Sequence, residues 1–516
     1  MNATKYILNN DAPDNQVALL TSQGDHTYAD LKRGVSRVAN YLVRRGARKG
    51  DRVALIAEAS YFWVVTYLGT IRAGCVAVPL PVNIDVEECA YILETTECTW
   101  GFVQGKYARD YLSLFNKNVT LVVNEPERIP TDLVRNTIQF ANILAQTDMD
   151  FDADLVEVDE RKDLAALMFT SGSTGKPRGV MVSHRNIIAN TNSIVEYLEL
   201  TADDRIMAVL PLYYCFGTSL LHTHLRVGGS VVISTHFVFP NKVLKRMQET
   251  HCTGFAGVPS TYQILLRRSS LKKMEFPNLR YVQQAGGKLP DIFIAELRQA
   301  LPTTRVFVMY GQTEATARLS YLPHEMLDTK SGSIGKGIPG VKLQVLDESN
   351  QPVPPGEIGE IVAEGDNITL GYWKAPKETN QSFRNGRLYT GDLATVDEDG
   401  YIFVVDRAKD FLKCGGQRVS CKEIEGKVLR FEGLVEAAVI SQPDDTLGEA
   451  VRLYVVHPAG EAKRVELEQF CMETLPRNLV PRMIIFRDAL PKNTSGKLNK
   501  VVLKEEYRKQ VESRGY

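Results

Sequence analysis

The sequence predicts an α/β fold: a large N-terminal region of packed α/β sheets, a small β-barrel-like subdomain, and a compact α+β tail. Three observations carry this. Short apolar runs alternate with helical stripes as far as about Gly332, the pattern of a mostly parallel and therefore buried sheet. Beyond it the texture changes to short strands broken by Gly/Pro turns. At 516 residues the chain is also too long for one ordinary core, so several domains or subdomains are expected.

Thr27 can cap a helix, with Asp30 three positions on, and Leu31, Val35, Val38 and Leu42 form one apolar stripe. Gly46 ends it. Arg52–Ala57 is a buried strand; a helix over Tyr61 to Arg72 and a strand over Cys75 to Pro79 complete a β-α-β unit. Ser183 opens a helix to about Leu198, followed by a strand near Ile206 to Leu210, a helix near Gly217, and a strand over Ser230 to Ser234. After Gly332, Val341–Leu346, Pro352–Gly356 and Gly359–Val362 read as the strands of the small subdomain. Beyond Asp406 a helix around Cys421 to Arg430, strands near Val435 to Ile440 and Val451 to Val456, and a helix near Val465 to Leu475 form the tail.

Apolar content of 44% and charged content of 24% are ordinary for a globular enzyme. A net charge of -1 gives no general electrostatic attraction to nucleic acid or anionic membrane, so neither is expected as a partner. Met1 to Asn10 lacks the basic-then-apolar pattern of a signal peptide. The apolar stretch from Tyr61 to Ile71 is shorter than a bilayer span, so no membrane span is expected. The eight cysteines contain no C-x-x-C pair, which argues against a disulfide framework or zinc site. A cytoplasmic location is the expectation. Oligomeric state is not legible.

The most telling stretch is Phe169-Thr-Ser-Gly-Ser-Thr-Gly-Lys-Pro-Arg-Gly-Val180, set between the strand-like Leu164–Met168 and Val180–Val182. Glycines let backbone N–H groups turn toward an anion, hydroxyls add neutral donors, and Lys176 adds charge. That is the composition of a polyphosphate cradle. A Walker A loop needs four residues between its glycines and Ser or Thr after the lysine. Here two residues separate Gly172 from Gly175, and Pro177 follows Lys176. A flexible linker fits poorly between two apolar runs. A phosphate loop of another class remains.

Five further segments stand out. Tyr310-Gly-Gln-Thr-Glu314 follows the strand-like Arg305–Met309, and strand ends in α/β sheets bind ligands. An aromatic can stack on a base, a hydroxyl can reach a phosphate, and a carboxylate can hold Mg²⁺; taken alone, the segment also reads as an ordinary turn. Tyr389-Thr-Gly-Asp392 places a carboxylate after a tight turn, either for a ribose or as plain surface. Asp406-Arg407 and Lys409 sit at a texture change that also suits a charged linker. Gly415-Gly416, beside Lys413 and Arg418, admits a close backbone approach or a simple hairpin. Near the end, Pro491-Lys-Asn-Thr-Ser-Gly-Lys497 puts a lysine on a glycine-containing loop.

In this order, the set resembles the adenylate-forming superfamily: acyl-CoA synthetases, adenylation domains and beetle luciferases. The resemblance runs from about Asp25 to Leu498. It implies an N-terminal AMP-binding domain over 1–405, a hinge at 406–410 and a mobile C-terminal lid domain over 411–516. It implies ATP, Mg²⁺ and a thiol, CoA or carrier-protein phosphopantetheine, as reactants and cofactors. Thr170, Ser171, Ser173, Thr174, Gly175 and Lys176 would line the pyrophosphate end of ATP. Thr313 would touch the α-phosphate, Glu314 would hold Mg²⁺, and Tyr310 would stack on adenine. Gly286, Gly287 and Gly311 would flank the ring and the acyl group. Asp392 and Arg407 would hold the ribose. Lys497 would bridge the carboxylate and α-phosphate, with Lys176, Thr313 and Glu314 as its catalytic company. Lys409 matches the hinge. Lys413, Gly415 and Gly416 match a second conformation that lets pantetheine pass.

The implied chemistry is two steps. A carboxylate attacks the α-phosphorus of ATP, giving acyl-AMP and pyrophosphate; a thiol then displaces AMP. Lysines and Mg²⁺ offset the repulsion between two anions, and the mixed anhydride must be kept from water.

Pro211-Leu-Tyr-Tyr-Cys-Phe-Gly217 matches the superfamily's substrate gate, with Tyr213, Tyr214, Phe216 and Gly217 as pocket residues and Tyr214 where some members carry histidine. It lacks the aspartate that amino-acid-activating members use to pair an ammonium. A buried unpaired cation is costly, so the expected substrate is a non-amino carboxylic acid. No carrier domain is expected after Tyr516, so the thiol comes in trans; CoA is favoured over a separate carrier protein. The readings set against an AMP-forming ligase are an inactive scaffold with the same fold and a Walker-type ATPase or kinase. Intact Lys497, Asp392 and Glu314 disfavour the first, and loop spacing disfavours the second.

Overall fold

The computed structural model describes residues 1–129, 137–146, 156–170, 177–234, 237–407, 411–414, 417–444, 447–493 and 496–513. Two large sheets organise the N-terminal region. The seven-stranded sheet runs, from edge to edge, Thr137–Gln139, Thr120–Asn124, Trp100–Gln104, Arg52–Ile56, Val76–Leu80, Leu164–Thr170 and Arg178–Ser183. Its pairs are parallel except the last, an antiparallel pair in which Thr170 faces Arg178. The loop read as a phosphate cradle joins these two strands, and its residues 171–176 lie outside the described residues.

The nine-stranded sheet runs Lys336–Gly337, Ser320–Leu322, Arg305–Tyr310, Tyr281–Gln284, Gly254–Gly257, Arg205–Ala208, Ser230–Ile233, Val17–Thr21 and Gly24–Thr27. Its middle is parallel and its ends are antiparallel. Helices Tyr28–Arg44, Tyr61–Arg72, His184–Leu198 and Cys215–Arg226 share one continuous apolar core with both sheets. The anticipated cap is present: Thr27 Oγ1 accepts from Asp30 N, and the Asp30 carboxylate accepts from Thr27 N. Helix Tyr61–Arg72 is buried on nearly every face, as its all-round apolar sequence requires.

The barrel-like subdomain is an open antiparallel sheet of five strands: Val341–Leu346, Gly359–Gly365, Arg387–Val396, Phe383–Arg384 and Ile402–Arg407. Pro352–Gly356 is not a strand. Pro352 makes only an isolated bridge to Leu346, and prolines at 352, 354 and 355 withhold the donors a ladder needs. Asp392 also departs from expectation, lying inside strand Arg387–Val396 rather than after a turn. Gly391 takes φ +74° and the register slips between Glu360 and Val362, so a bulge re-aims this segment. In the tail, strands Phe411–Cys414, Gln417–Ser420, Glu436–Asp444, Gly448–Val456 and Met483–Phe486 form one sheet, with helices Cys421–Val428, Arg464–Thr474 and Lys500–Ser513.

The contact between helices Tyr28–Arg44 and Tyr61–Arg72 depends on Gly69. A Cβ there would lie 2.7 Å from Val38 Cβ and 3.0 Å from the Val35 carbonyl. Gly69→Ala is expected to destabilise the protein by about 1–3 kcal/mol, overpacking outweighing the gain in helix propensity. Gly426→Ala, in helix Cys421–Val428 with nothing within 4 Å of its Cβ position, is expected to be neutral or stabilising by up to about 1 kcal/mol. Urea melts of both variants check the pair, and equal effects would contradict it.

Candidate active site

The parallel strands Tyr281–Gln284 and Arg305–Tyr310 end side by side, and the candidate residues gather beyond their carboxyl ends. Tyr310 closes its strand, and its hydroxyl donates to Asp392 Oδ2 at 2.6 Å. This bond ties the nine-stranded sheet to the five-stranded one. Asp392 in turn lies in register with Arg407 on the adjacent strand, so the two ribose candidates are cross-strand neighbours.

Glu314 lies in the short turn Thr313–Ala315. Its carbonyl accepts from Thr369 N at 3.0 Å and Thr369 Oγ1 at 2.9 Å, and its Oε1 accepts from the Tyr372 hydroxyl at 2.8 Å. Tyr372 is held beside strand Arg178–Ser183, which follows the candidate phosphate loop. It bridges to Val180, and Trp373 N donates to the Gly179 carbonyl at 2.8 Å. The Arg178 guanidinium stands 5.6 Å from the centre of the Tyr372 ring. Burial, and then the Glu314 carboxylate, push the Tyr372 phenol well up, so it stays a donor. Thr170, at the loop's other flank, is partly exposed.

Helix Cys215–Arg226 opens the candidate acyl pocket, with Tyr214 as its N-cap residue. Gly217 permits the tight approach before it, since a Cβ there would meet the Pro211 carbonyl at 2.1 Å. Cys215 Sγ lies 3.4 Å from Thr313 Oγ1, and burial raises its thiol, which marks it as a packing group rather than a thiolate. Tyr213 is partly exposed, whereas Phe216 is buried.

Lys497 reaches this crevice from the tail. Its loop is tightly closed: Lys497 N donates to Asn493 Oδ1 at 2.9 Å, and Asn493 N donates to the Lys497 carbonyl at 2.8 Å. The Ser260 hydroxyl docks the loop by donating to the Gly496 carbonyl at 3.0 Å. Lys497 Nζ stands 5.2 Å from the centre of the Tyr214 ring. Gly286, at φ +88°, leaves room for the lysine, because a Cβ there would meet Lys497 Cε at 3.0 Å. Gly287 follows it, and the Gly287 carbonyl accepts from Gln284 Nε2 at 2.7 Å.

Lys497, Tyr214, Gly286, Thr313, Glu314, Tyr310 and Asp392 are therefore linked by contacts or by neighbouring segments around one crevice. Ser171, Ser173, Thr174, Gly175, Lys176, Lys409, Gly415 and Gly416 lie outside the described residues. For Arg407 and Lys413 the description covers the backbone, placed in strands Ile402–Arg407 and Phe411–Cys414. Strands Phe411–Cys414 and Gln417–Ser420 pair with Cys414 opposite Gln417. Sequence reasoning missed Tyr372, Ser260 and the buried Arg318, whose guanidinium carbon stands 4.0 Å from the centre of the Phe216 ring. Nothing in their spacing marks them, since each acts across a long sequence separation.

Among the described residues no group of three or more acidic, His or Cys side chains can hold a metal by itself, and no helix is long and apolar enough to cross a membrane. One oriented carboxylate, Glu314, does suit Mg²⁺ shared with substrate phosphates, the usual way that ion is bound.

Comparison with known proteins places the chain. The AMP-binding enzyme family matches residues 9–373, and the AMP-binding enzyme C-terminal domain matches residues 423–497. A feruloyl-CoA synthase of Amycolatopsis sp is 33% identical over 485 residues, covering 92% of this chain and 92% of that protein. ATP-bound MatB from Rhodopseudomonas palustris superposes with a TM-score of 0.87 at 31% identity, covering 98% of each chain. The apo form of the same enzyme gives 0.75 at 32% identity and the same coverage. The chain belongs to the AMP-binding enzyme family, and it is an AMP-forming acid–thiol ligase of the acyl-CoA synthetase type.

Proposed function

We propose that this enzyme forms acyl-AMP from a non-amino carboxylic acid and ATP, releasing pyrophosphate, and then passes the acyl group to CoA, releasing AMP. The observation that carries the reading is the seating of the Lys497 loop over Tyr214 and Gly286, on the crevice that Thr313, Glu314 and Asp392 border. Greater likeness to the ATP-bound than to the apo form of MatB supports reading this arrangement as the one used for the first step.

The Lys497 ammonium would meet the acid carboxylate and the α-phosphate, cancelling charge as the new oxygen–phosphorus bond forms. Thr313 would donate to the α-phosphate. Thr170, Ser171, Ser173, Thr174, Gly175 and Lys176 would hold the leaving pyrophosphate. Tyr310 would lie against adenine with Gly286, Gly287 and Gly311, while Asp392 and Arg407 take the ribose hydroxyls. The Tyr310 hydroxyl, donating to Asp392 Oδ2 at 2.6 Å, holds that carboxylate beside the strand end. Mg²⁺, when bound by Glu314 and phosphate oxygens, would offset the phosphate charge.

Support for a non-amino acid comes from the pocket wall. The charged group stacked on Phe216 is a cation, Arg318, which would repel a substrate ammonium. For the second step the tail, residues 411–516, would turn about Lys409 within the 406–410 hinge. Lys413, Gly415 and Gly416 would then line the thiol's path, with 1–405 as the fixed domain. CoA is favoured over a carrier protein by the CoA-ligase relatives. A cytoplasmic location is part of this reading, since the substrates it names are those of the cell interior.

Lys497→Ala is expected to suppress acyl-AMP formation by roughly 10²–10³-fold, the scale of losing one positioned group at a transition state. Consumption of pre-made acyl-AMP and CoA should change far less. ATP–pyrophosphate exchange and thioester yield read the two steps separately, and equal losses would contradict the assignment. Tyr372→Phe removes the donor that orients Glu314, a bond to a charged group worth about 1.5–3 kcal/mol. Half-saturating Mg²⁺ in the exchange assay should rise, and an unchanged Mg²⁺ titration would remove Glu314 from the metal site.

A further inference from the structure

Arg318 is the most unusual charge in the molecule. It is 1% exposed and makes no ion pair among the described residues. Its Nε donates to the Met309 thioether at 3.3 Å and its Nη2 to Gln283 Oε1 at 3.5 Å, both weak bonds. Its guanidinium carbon stands 4.0 Å from the centre of the Phe216 ring. The Tyr197 hydroxyl lies beside it and is itself directed to Met309 Sδ at 3.0 Å. A buried guanidinium whose partners are a thioether, a distant amide oxygen, a neutral phenol and a ring face is poorly compensated.

A second unmatched donor lies beside it. Gln283 is 0% exposed, and its Nε2 has no hydrogen-bond partner. Its strand, Tyr281–Gln284, leads directly to Gly286 and Gly287. The Arg318 backbone packs against Gly311, where a Cβ would lie 2.8 Å from Arg318 Cα. Phe216 lies in the first turn of the helix whose N-cap, Tyr214, carries Lys497 over its ring. Arg318 and Gln283 thus flank Phe216, Gly311 and the Gly286 bend, all candidate acyl-pocket positions, with the guanidinium lacking a counter-charge among the described residues and Gln283 Nε2 lacking an acceptor.

We propose that Arg318, assisted by Gln283, is a specificity determinant that receives a second carboxylate on the substrate, so that the acid activated is a dicarboxylic acid. The inference rests on the adenylation reading above. One carboxylate goes to Lys497 and the α-phosphate; the other enters the donor pair at Arg318. An anion there supplies the missing counter-charge, and planar guanidinium and carboxylate match in a two-bond geometry. A purely apolar tail would leave the cation and the Gln283 amide unmatched, which penalises the monoacid.

The test is ATP–pyrophosphate exchange on length-matched pairs: butyrate with succinate, hexanoate with adipate, benzoate with the three benzenedicarboxylates. At the best length the wild-type enzyme should favour the diacid by at least about 10-fold in kcat/KM, most of it in KM. Arg318→Met should lower diacid kcat/KM by roughly 10²-fold while leaving or improving the monoacid, reversing the preference. Gln283→Leu should reduce the preference more mildly, and Arg318→Lys should rescue it in part. If Arg318→Met does not fold, the wild-type panel and Arg318→Lys decide alone. Adenylation of monoacids in preference to every matched diacid would overturn the proposal and leave the ligase reading standing. Exchange with no acid of either class, in an enzyme that binds ATP by calorimetry, would overturn the ligase reading and this inference together.

Discussion

The seating of one loop is the constraint on which the candidate site depends. Lys497 belongs to the tail, yet its ammonium stands over Tyr214, a residue of the N-terminal region. Three local features make that possible. Reciprocal bonds between Asn493 and Lys497 join the two ends of the loop, which sets where the lysine leaves it. Ser260 holds the Gly496 carbonyl, which fixes where the base docks. Gly286 has no side chain, and any Cβ there would press on the lysine stem and on Val258 Cγ1 at 3.1 Å.

Around that loop, two bonds from tyrosines to carboxylates join elements that the chain makes far apart. Tyr310 to Asp392 links the nine-stranded sheet to the open five-stranded sheet. Tyr372 to Glu314 links the segment beside strand Arg178–Ser183 to the turn after Tyr310. Each carboxylate is oriented by a neutral phenol donor. Charge-assisted bonds of this kind are short and directional, so they set geometry as well as energy.

Much of this was legible in the chain because the cues are local. The capping pair Thr27 and Asp30, the apolar helix Tyr61–Arg72 and the strand ending at Tyr310 are where periodicity puts them. The order of the short motifs identified the family. What was not legible acts over distance. Tyr389 to Asp392 reads as a turn because Thr-Gly-Asp favours one, and only pairing against Glu360 and Val362 makes it a bulge. Pro352–Gly356 mimics a strand in texture but lacks donors. Tyr372 is 58 residues from Glu314, and Arg318 reaches Phe216 from a different element, so no spacing rule reveals either.

The central claim, that Lys497 is seated where acid and nucleotide meet, is tested most directly by lysine reactivity. The whole enzyme would be labelled with an amine-selective reagent, with and without a non-hydrolysable acyl-adenylate analogue, and read by mass spectrometry. Lys245, 75% exposed on helix Pro240–Glu249, serves as the internal reference. The account predicts that Lys497 labels more slowly than Lys245 in the free enzyme and is almost fully protected by the analogue, while Lys245 is unaffected. Equal labelling of the two lysines, unchanged by the analogue, would contradict it.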